Sequence, residues 1–266
     1  MRITHPVAPY QGFQPEDVFF VSDTNMTQLG TGYLIRFEQK SMYPERPVHY
    51  YISIEAQPQA RNMLFGALFA RAEQLKAANP SVPARLYACV APEDTEMLHF
   101  YEECGLVADD AEDVVRFEPV QGDSRAPIGM NYGSVPLADP ASRAAFLQRV
   151  NAHCIQPFEE DYLTLWQQQP LFMALGYYRG QIPVTETVLT GAGDSATLLN
   201  IYTHIDYRRQ HMAGQLLNAA CSILSARGVK TVYAHVFRRN RPQVALMDKL
   251  NANYVKTVNI MPGINM

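Results

Sequence analysis

The 266-residue chain carries one order of secondary-structure signals twice, and this repeat limits its fold more than any single motif does. In the first half, 18–21, 31–37 and 48–54 read as strands, the second through the alternation of Tyr33, Ile35 and Phe37. A helix over 62–78 follows, with Leu64, Leu68, Ala72 and Leu75 at helical spacing and Asn79-Pro80 stopping it. Strand 84–90, a helix over 94–104 closed by Gly105, and strand 114–117 complete the set. The second half repeats the order: strands 172–178, 184–189 and 197–203 with a turn at 191–194, helix 211–227 ending at Gly228, strand 231–237, helix 242–250 and strand 254–258. Two copies predict a duplicated α/β domain, because a solenoid needs at least three repeats to be stable. The copies are unequal. Helices over 140–150 and 159–168, with Pro140 near the start of the first and Pro157 between them, precede only the second set. The expected fold is therefore two tandem domains, each a mixed central sheet flanked by helices, the first truncated at its start. The aperiodic stretch 118–127, with Gln121-Gly122-Asp123-Ser124, places the first domain at 1–120, a linker at 121–127 and the second domain at 128–266.

Composition removes several functional classes. At 47% hydrophobic and 18% charged the chain can bury a core, which excludes disorder for its bulk. A net charge of −4 offers no basic surplus to neutralise phosphates, so no nucleic-acid partner is expected. No apolar run reaches membrane-spanning length, the closest being 171–178. The start, Met-Arg-Ile-Thr-His-Pro, lacks the features of a secretory signal. Cys89, Cys104, Cys154 and Cys221 form no C-x-x-C pair, which predicts reduced structural thiols and no metal site. A cytoplasmic location and no membrane partner follow as expectations.

A strand that runs into a helix through a short loop presents free backbone N–H groups and the positive helix end to a pyrophosphate. The second copy's junction reads Leu199-Asn-Ile-Tyr-Thr-His-Ile-Asp-Tyr-Arg-Arg-Gln-His-Met-Ala-Gly-Gln-Leu-Leu217. It resembles the GNAT acyltransferase superfamily, whose pattern is an apolar strand, a few turn residues, Arg or Gln, two residues, Gly, one residue, Gly or Ala, and a Leu-rich helix. Arg208, Ala213, Leu216 and Leu217 are in register with it. His211 stands where the family has its first glycine, a residue that lets the backbone approach phosphate and take angles a side chain resists. Downstream, 232–237 followed by Arg238, Arg239, Asn240 and Arg241 is also similar to the family. The resemblance covers most of 128–260. The first copy has Arg61-Asn-Met-Leu-Phe-Gly66-Ala-Leu-Phe69, a weaker match with Leu64 at the first glycine and Gly66 at the second. It keeps Phe100-Tyr101-Glu102-Glu103-Cys104-Gly105-Leu106, similar to the segment in which a helix Tyr of the family protonates the departing thiolate; the second copy has Met247 near that place.

The resemblance implies acetyl-CoA or another acyl-CoA lying between two splayed strands of the second copy, with the first copy bracing it or shaping the acceptor site. Ile201, Tyr202 and Thr203 would pair with the pantetheine, while Arg208, Arg209, Gln210, His211, Met212, Ala213 and Gly214 would hold the pyrophosphate. Asn240 either bonds the pantetheine or caps a helix. Arg238, Arg239 and Arg241 either meet the 3′-phosphate or keep a loop soluble. The implied reaction is direct attack by an amine of a small molecule or peptide on the thioester, which needs a neutral amine, an oxyanion donor and an acid for sulfur. His204 is the candidate base, directly or through water, or else a surface histidine in a turn. Tyr101 is the candidate acid if the first copy is active, and otherwise a packing residue. The rival reading, a non-catalytic acyl-CoA sensor or scaffold, draws on the lost glycines and the missing helix Tyr. A nicotinamide dehydrogenase is disfavoured, since no G-x-G-x-x-G follows a strand.

Overall fold

A computed structural model describes residues 1–40, 42–122, 125–152 and 158–266. Asp123 and Ser124 of the expected linker, Cys154 and Pro157 lie outside the described residues. The chain forms two compact units, Met1–Glu112 with Thr257–Met266, and Asp113–Lys256. The division lies inside a strand and ahead of the polar stretch 121–127, where Gly122 is bonded to the Ser222 hydroxyl.

In the first unit, β1 (Arg2–Thr4), β2 (Val18–Ser22), β3 (Gln28–Glu38), β4 (Val48–Ala56) and β5 (Ala84–Tyr87) form a sheet in that order, joined at its end by β13 (Gly263–Asn265). Only β4 and β5 are parallel among its neighbours. Helix α1 (Pro58–Ala77) buries Ala60, Leu64, Leu68 and Ala72, one residue every turn, against Leu34, Ile52, Ile54 and Leu86. Each buried Leu contributes about 2 kcal/mol through area removed from water. Gly32 of β3 is the point of closest approach, because a Cβ there would come within 2.9 Å of Leu68. Helix α2 (Thr95–Glu103) starts at Asp94, whose carboxylate accepts from the Met97 N–H. Proline at the first helical position starts α1 at Pro58, ahead of the expected 62.

The second unit holds β7 (Asn131–Ser134), α3 (Pro140–Asn151), α4 (Glu160–Gln167), β8 (Leu171–Arg179), β9 (Ile182–Ala192), β10 (Ser195–Thr203), α5 (Met212–Ala226), β11 (Thr231–Phe237) and α6 (Arg241–Lys249). With β6 (Ala111–Phe117) and β12 (Asn253–Ile260), which cross the division of the chain, they give a seven-stranded sheet ordered β12-β6-β11-β10-β9-β8-β7. On one face α5 packs Leu216, Leu217, Ala220, Cys221 and Leu224 against Met173, Leu175, Leu189, Ala196 and Leu198. On the other, Phe146, Leu147 and Val150 of α3 and Leu163 of α4 meet Ala174 and Val188. The hairpin β9–β10 turns through Gly193 at φ +63°, as the 191–194 signal requires.

The expected tandem architecture is present: β2-β3-β4-α1-β5-α2 and β8-β9-β10-α5-β11-α6 share one order, and the helix pair α3–α4 belongs to the second unit alone. Strand β13 was outside the sequence pattern, since three residues are too few to carry a period. Cys89, Cys104 and Cys221 are free thiols, and burial pushes Cys221 up to about 11. Among the described residues no helix is long and apolar enough to cross a membrane.

Candidate functional site

Strands β10 and β11 pair in parallel from Ser195–Thr231 to Leu198–Ala234 and no further, although β10 runs on to Thr203 and β11 to Phe237. Against β9 the pairing of β10 continues to Thr203–Thr185, with a register shift that leaves Leu199 as the extra residue of a bulge. A bulge bends its strand and increases its twist, so the bend sits where β10 parts from β11. The two strands thus diverge from Leu199 onward, and the β10–β11 ladder does not extend over 200–203. In the first unit β4 and β5 likewise pair only from Val48–Ala84 to Tyr51–Tyr87, but the β3–β4 register runs without a bulge. Of the residues expected at the strand end, Ile201 packs into the α5-side core and Tyr202 is buried; the Thr203 carbonyl accepts from Arg208 Nε at 3.3 Å.

Beyond β10, His204 caps a short 3-10 turn over Ile205–Tyr207: its Nδ1 accepts from the Asp206 N–H at 3.4 Å and its ring meets Tyr207 edge-on, centroids 6.0 Å apart. The chain then passes twice through left-handed backbone, at Arg209 (φ +63°) and His211 (φ +61°), two of the five non-glycine residues so disposed among those described. His211 is the N-cap of α5, with no side-chain cap bond, and its carbonyl accepts from the Gln215 N–H at 3.0 Å. The N–H groups of Met212, Ala213 and Gly214 precede this first helical bond and carry the positive end of the helix. Gly214 is open on its outer side, an added Cβ meeting only Leu246 at 4.0 Å. The side-chain amide of Gln210 folds back to the Asp206 carbonyl. Backbone donors at a helix start, with Arg208 beside them, are a donor set suited to a pyrophosphate.

Among the described residues the first unit offers no such set, and the weaker loop expected at 61–66 is corrected. Those residues lie inside α1, Leu64 is core, and β4 passes into the helix with only Gln57 between. The Gln57 N–H is bonded to Leu29 at 2.9 Å, and Pro58 has no N–H to offer. Arg61 is engaged too, by the Ala56 carbonyl at 3.3 Å and Glu96 at 2.6 Å. Tyr101 is buried among Phe65 and Phe100, and burial raises its hydroxyl beyond the ordinary tyrosine range. In the second unit Met247 is core, Asn240 caps α6 by accepting from the Gln243 N–H at 3.3 Å, and Arg238 is bidentate to Asp113 at 2.6 and 2.9 Å. Gln243 folds its amide onto β11, accepting from the Phe237 N–H and donating to the His235 carbonyl, as a neighbouring strand would.

Sequence reasoning missed one constellation. Glu186 of β9 is 1% exposed and lies directly opposite Tyr202 of β10. Arg149 of α3 donates to it through Nε at 2.9 Å and Nη2 at 3.0 Å, the Tyr178 hydroxyl donates at 3.1 Å, and the Tyr202 hydroxyl donates to Oε2. Arg149 Nε also reaches the Tyr202 oxygen at 2.9 Å. Burial, then the Glu186 charge, raises both tyrosine hydroxyls above their usual range; Arg149 stays charged despite burial because Glu186 and Tyr202 hold it. The available signal was Glu186 itself, the one charged residue in β9.

Residues 141–252 match the family model described as acetyltransferase (GNAT) family, wholly within the second unit. Among solved structures, a GCN5-related N-acetyltransferase from Sphaerobacter thermophilus is similar at 13% identity and TM-score 0.51, over 96% of this chain and 82% of that one. A conserved protein of unknown function from Enterococcus faecalis V583 gives TM-score 0.54 at 13% identity, over 92% and 61%. A GCN5-related N-acetyltransferase from Anabaena variabilis gives 0.51 at 10%, over 93% and 62%. These likenesses are of fold. No curated protein matches the sequence.

Proposed function

We propose, from the premise that residues 141–252 form a GNAT acetyltransferase domain, that the second unit binds acetyl-CoA or another acyl-CoA and transfers its acyl group to an amine of a small molecule or peptide. The observation that carries this reading is the β10–β11 divergence, which leads through the left-handed His211 to the start of α5. Arg208 and the N–H groups of Met212, Ala213 and Gly214 would hold the pyrophosphate, with Arg209, Gln210 and His211 forming the turn that aims them. Ile201–Thr203, beyond the end of the β10–β11 ladder, would pair with the pantetheine amides, and Asn240 serves the site through the α6 start it caps. The acyl donor supplies an activated thioester. A strand-edge N–H near the bulge is suited to stabilise an oxyanion, because it is fixed before charge develops.

His204 Nδ1 accepts from its own turn, so in the neutral ring Nε2 carries the proton and the nitrogen that could take one up is the engaged one. That engagement, with apolar Met247 in place of a helix tyrosine, favours as second reading an acyl-CoA sensor that does not turn over. Calorimetry with CoA and acetyl-CoA, then thiol release against a panel of amines, separates the readings. Saturable heat with turnover on at least one amine is expected; heat without turnover on any amine selects the sensor, and no heat at millimolar CoA removes both.

A further inference from the structure

An ionic cluster sealed into a sheet is an expensive way to gain stability. Removing two charges from water costs several kcal/mol each, and well-packed apolar residues of the same volume often serve as well or better. Glu186 nevertheless sits in the middle of a central strand, with Arg149 brought to it from α3 across 37 positions of sequence. All four donors that reach its two oxygens come from different residues or different nitrogens: Tyr178 on β8, Tyr202 on β10, and Nε and Nη2 of Arg149. The carboxylate therefore ties three adjacent strands and one helix at a single point.

The location of that point matters. Tyr202 lies four residues past Leu198, the last β10 residue paired with β11, so it belongs to the segment beyond the end of that ladder. An edge segment relieved of one neighbour loses half its ladder, and its backbone is free to twist unless side chains hold it. Around Tyr202 the holding is dense. Its carbonyl accepts from the Thr185 hydroxyl, its ring oxygen accepts from Arg149 Nε, and its hydroxyl donates to Glu186. Arg149 is itself 29% exposed on its side chain, so the charge enters from the helix rim and is spent on fixing the strand.

We infer that Arg149 and Glu186 are positioning residues for the acyl-CoA site, locking the Tyr202 segment of β10 in the extended form that receives the pantetheine arm. This rests on the proposed acyl-CoA reading, and it divides the site in two. The pyrophosphate end, Arg208 and the α5 start, follows β10 and meets it at the Thr203 carbonyl, whereas the pantetheine edge contains Tyr202, which the cluster holds directly. A ligand that carries only the nucleotide and its phosphates should be indifferent to the cluster; a ligand that carries the arm should not.

The test compares CoA with 3′,5′-ADP, which has no pantetheine, by calorimetry on the full chain. The variants are Glu186→Gln, Tyr202→Phe and the double variant Arg149→Met/Glu186→Gln, which removes both charges together and so leaves no uncompensated ion to unfold the unit. Folding is checked by circular dichroism and Tm. Loss of one charge-assisted contact corresponds to about a tenfold weakening, so CoA affinity is expected to fall about tenfold or more in the double variant while 3′,5′-ADP affinity stays within about twofold. Parallel loss of both ligands in a folded variant would reduce the cluster to general stability and overturn the inference. So would variants that bind CoA like the parent. A parent chain that binds neither ligand overturns the acyl-CoA reading itself, and the inference falls with it.

Discussion

At the scale of single residues, His211 and Ala213 separate what helps the fold from what helps a ligand. A side chain in left-handed backbone costs about 1–2 kcal/mol, and glycine returns about 0.5–1 of that as unfolded-chain entropy, so His211→Gly should stabilise by about 0.5–1 kcal/mol. The same change should tighten CoA binding, because it opens the approach to the helix start; urea midpoints and calorimetry read the two effects. Ala213→Asp should split them. A carboxylate in the first turn of α5 favours the helix by about 0.3–1 kcal/mol, yet it repels a pyrophosphate, so the protein should hold or gain Tm while CoA binding weakens at least tenfold. A Tm loss without an affinity loss would mean that the α5 start faces no anion. The His211 position was readable from sequence, since its place in the junction is a glycine's place and its φ is a glycine's φ. The tie of His204 to Asp206 was not readable, because a residue two positions away gives no signal of which way a ring turns.

Among elements, the strands and helices that carry strong periodicity were legible and the edges were not. Helix α5 announced itself through Leu216, Leu217, Ala220 and Leu224, all buried as the spacing demands. The start of α1 was misread by four residues because the apolar period begins after Pro58, while the proline itself opens the helix. Glu186 and Arg149 were missed because their pairing joins a strand to a helix, which no local window contains. Strand β13 was missed for its brevity, but it carries weight. Its segment gives backbone bonds from Ala84 to Met266, Ala88 to Pro262 and Val107 to Gly263, while Arg85 donates to the Met261 carbonyl at 3.1 Å. Removing residues 261–266 forfeits these bonds and those from Met266 to Ala84, Gly263 to Val107 and Met261 to Asp110, at about 1 kcal/mol each. The first unit should then melt earlier than the second, as a separate low-temperature transition in calorimetry with proteolytic cuts confined to 1–112. One unsplit transition at the parent temperature would show that β13 is dispensable.

For the molecule as a whole, the buried phenols and thiols set an alkaline limit. Cys221 is pushed up to about 11 from an ordinary 9.0, and Tyr51 up to about 12 from 10.0, both chiefly by burial. The folded state thus keeps protons that the unfolded chain releases, and stability is fully present below pH 9 and declines as pH rises from 9 to 12. Urea midpoints should be level from pH 7 to 8.5 and fall steadily above 9. A flat profile to pH 11 would place these groups in contact with water. The discontinuity of the first unit has a consequence in time. Residues 113–256 form a continuous stretch and can fold as soon as they have been made, but the sheet begun by β1 to β5 must wait for Thr257–Met266. During synthesis, which adds roughly 5–20 residues per second, the β5 edge stands open for about ten seconds or more after its own strand is complete. The half that comes first from the ribosome is the half that finishes last.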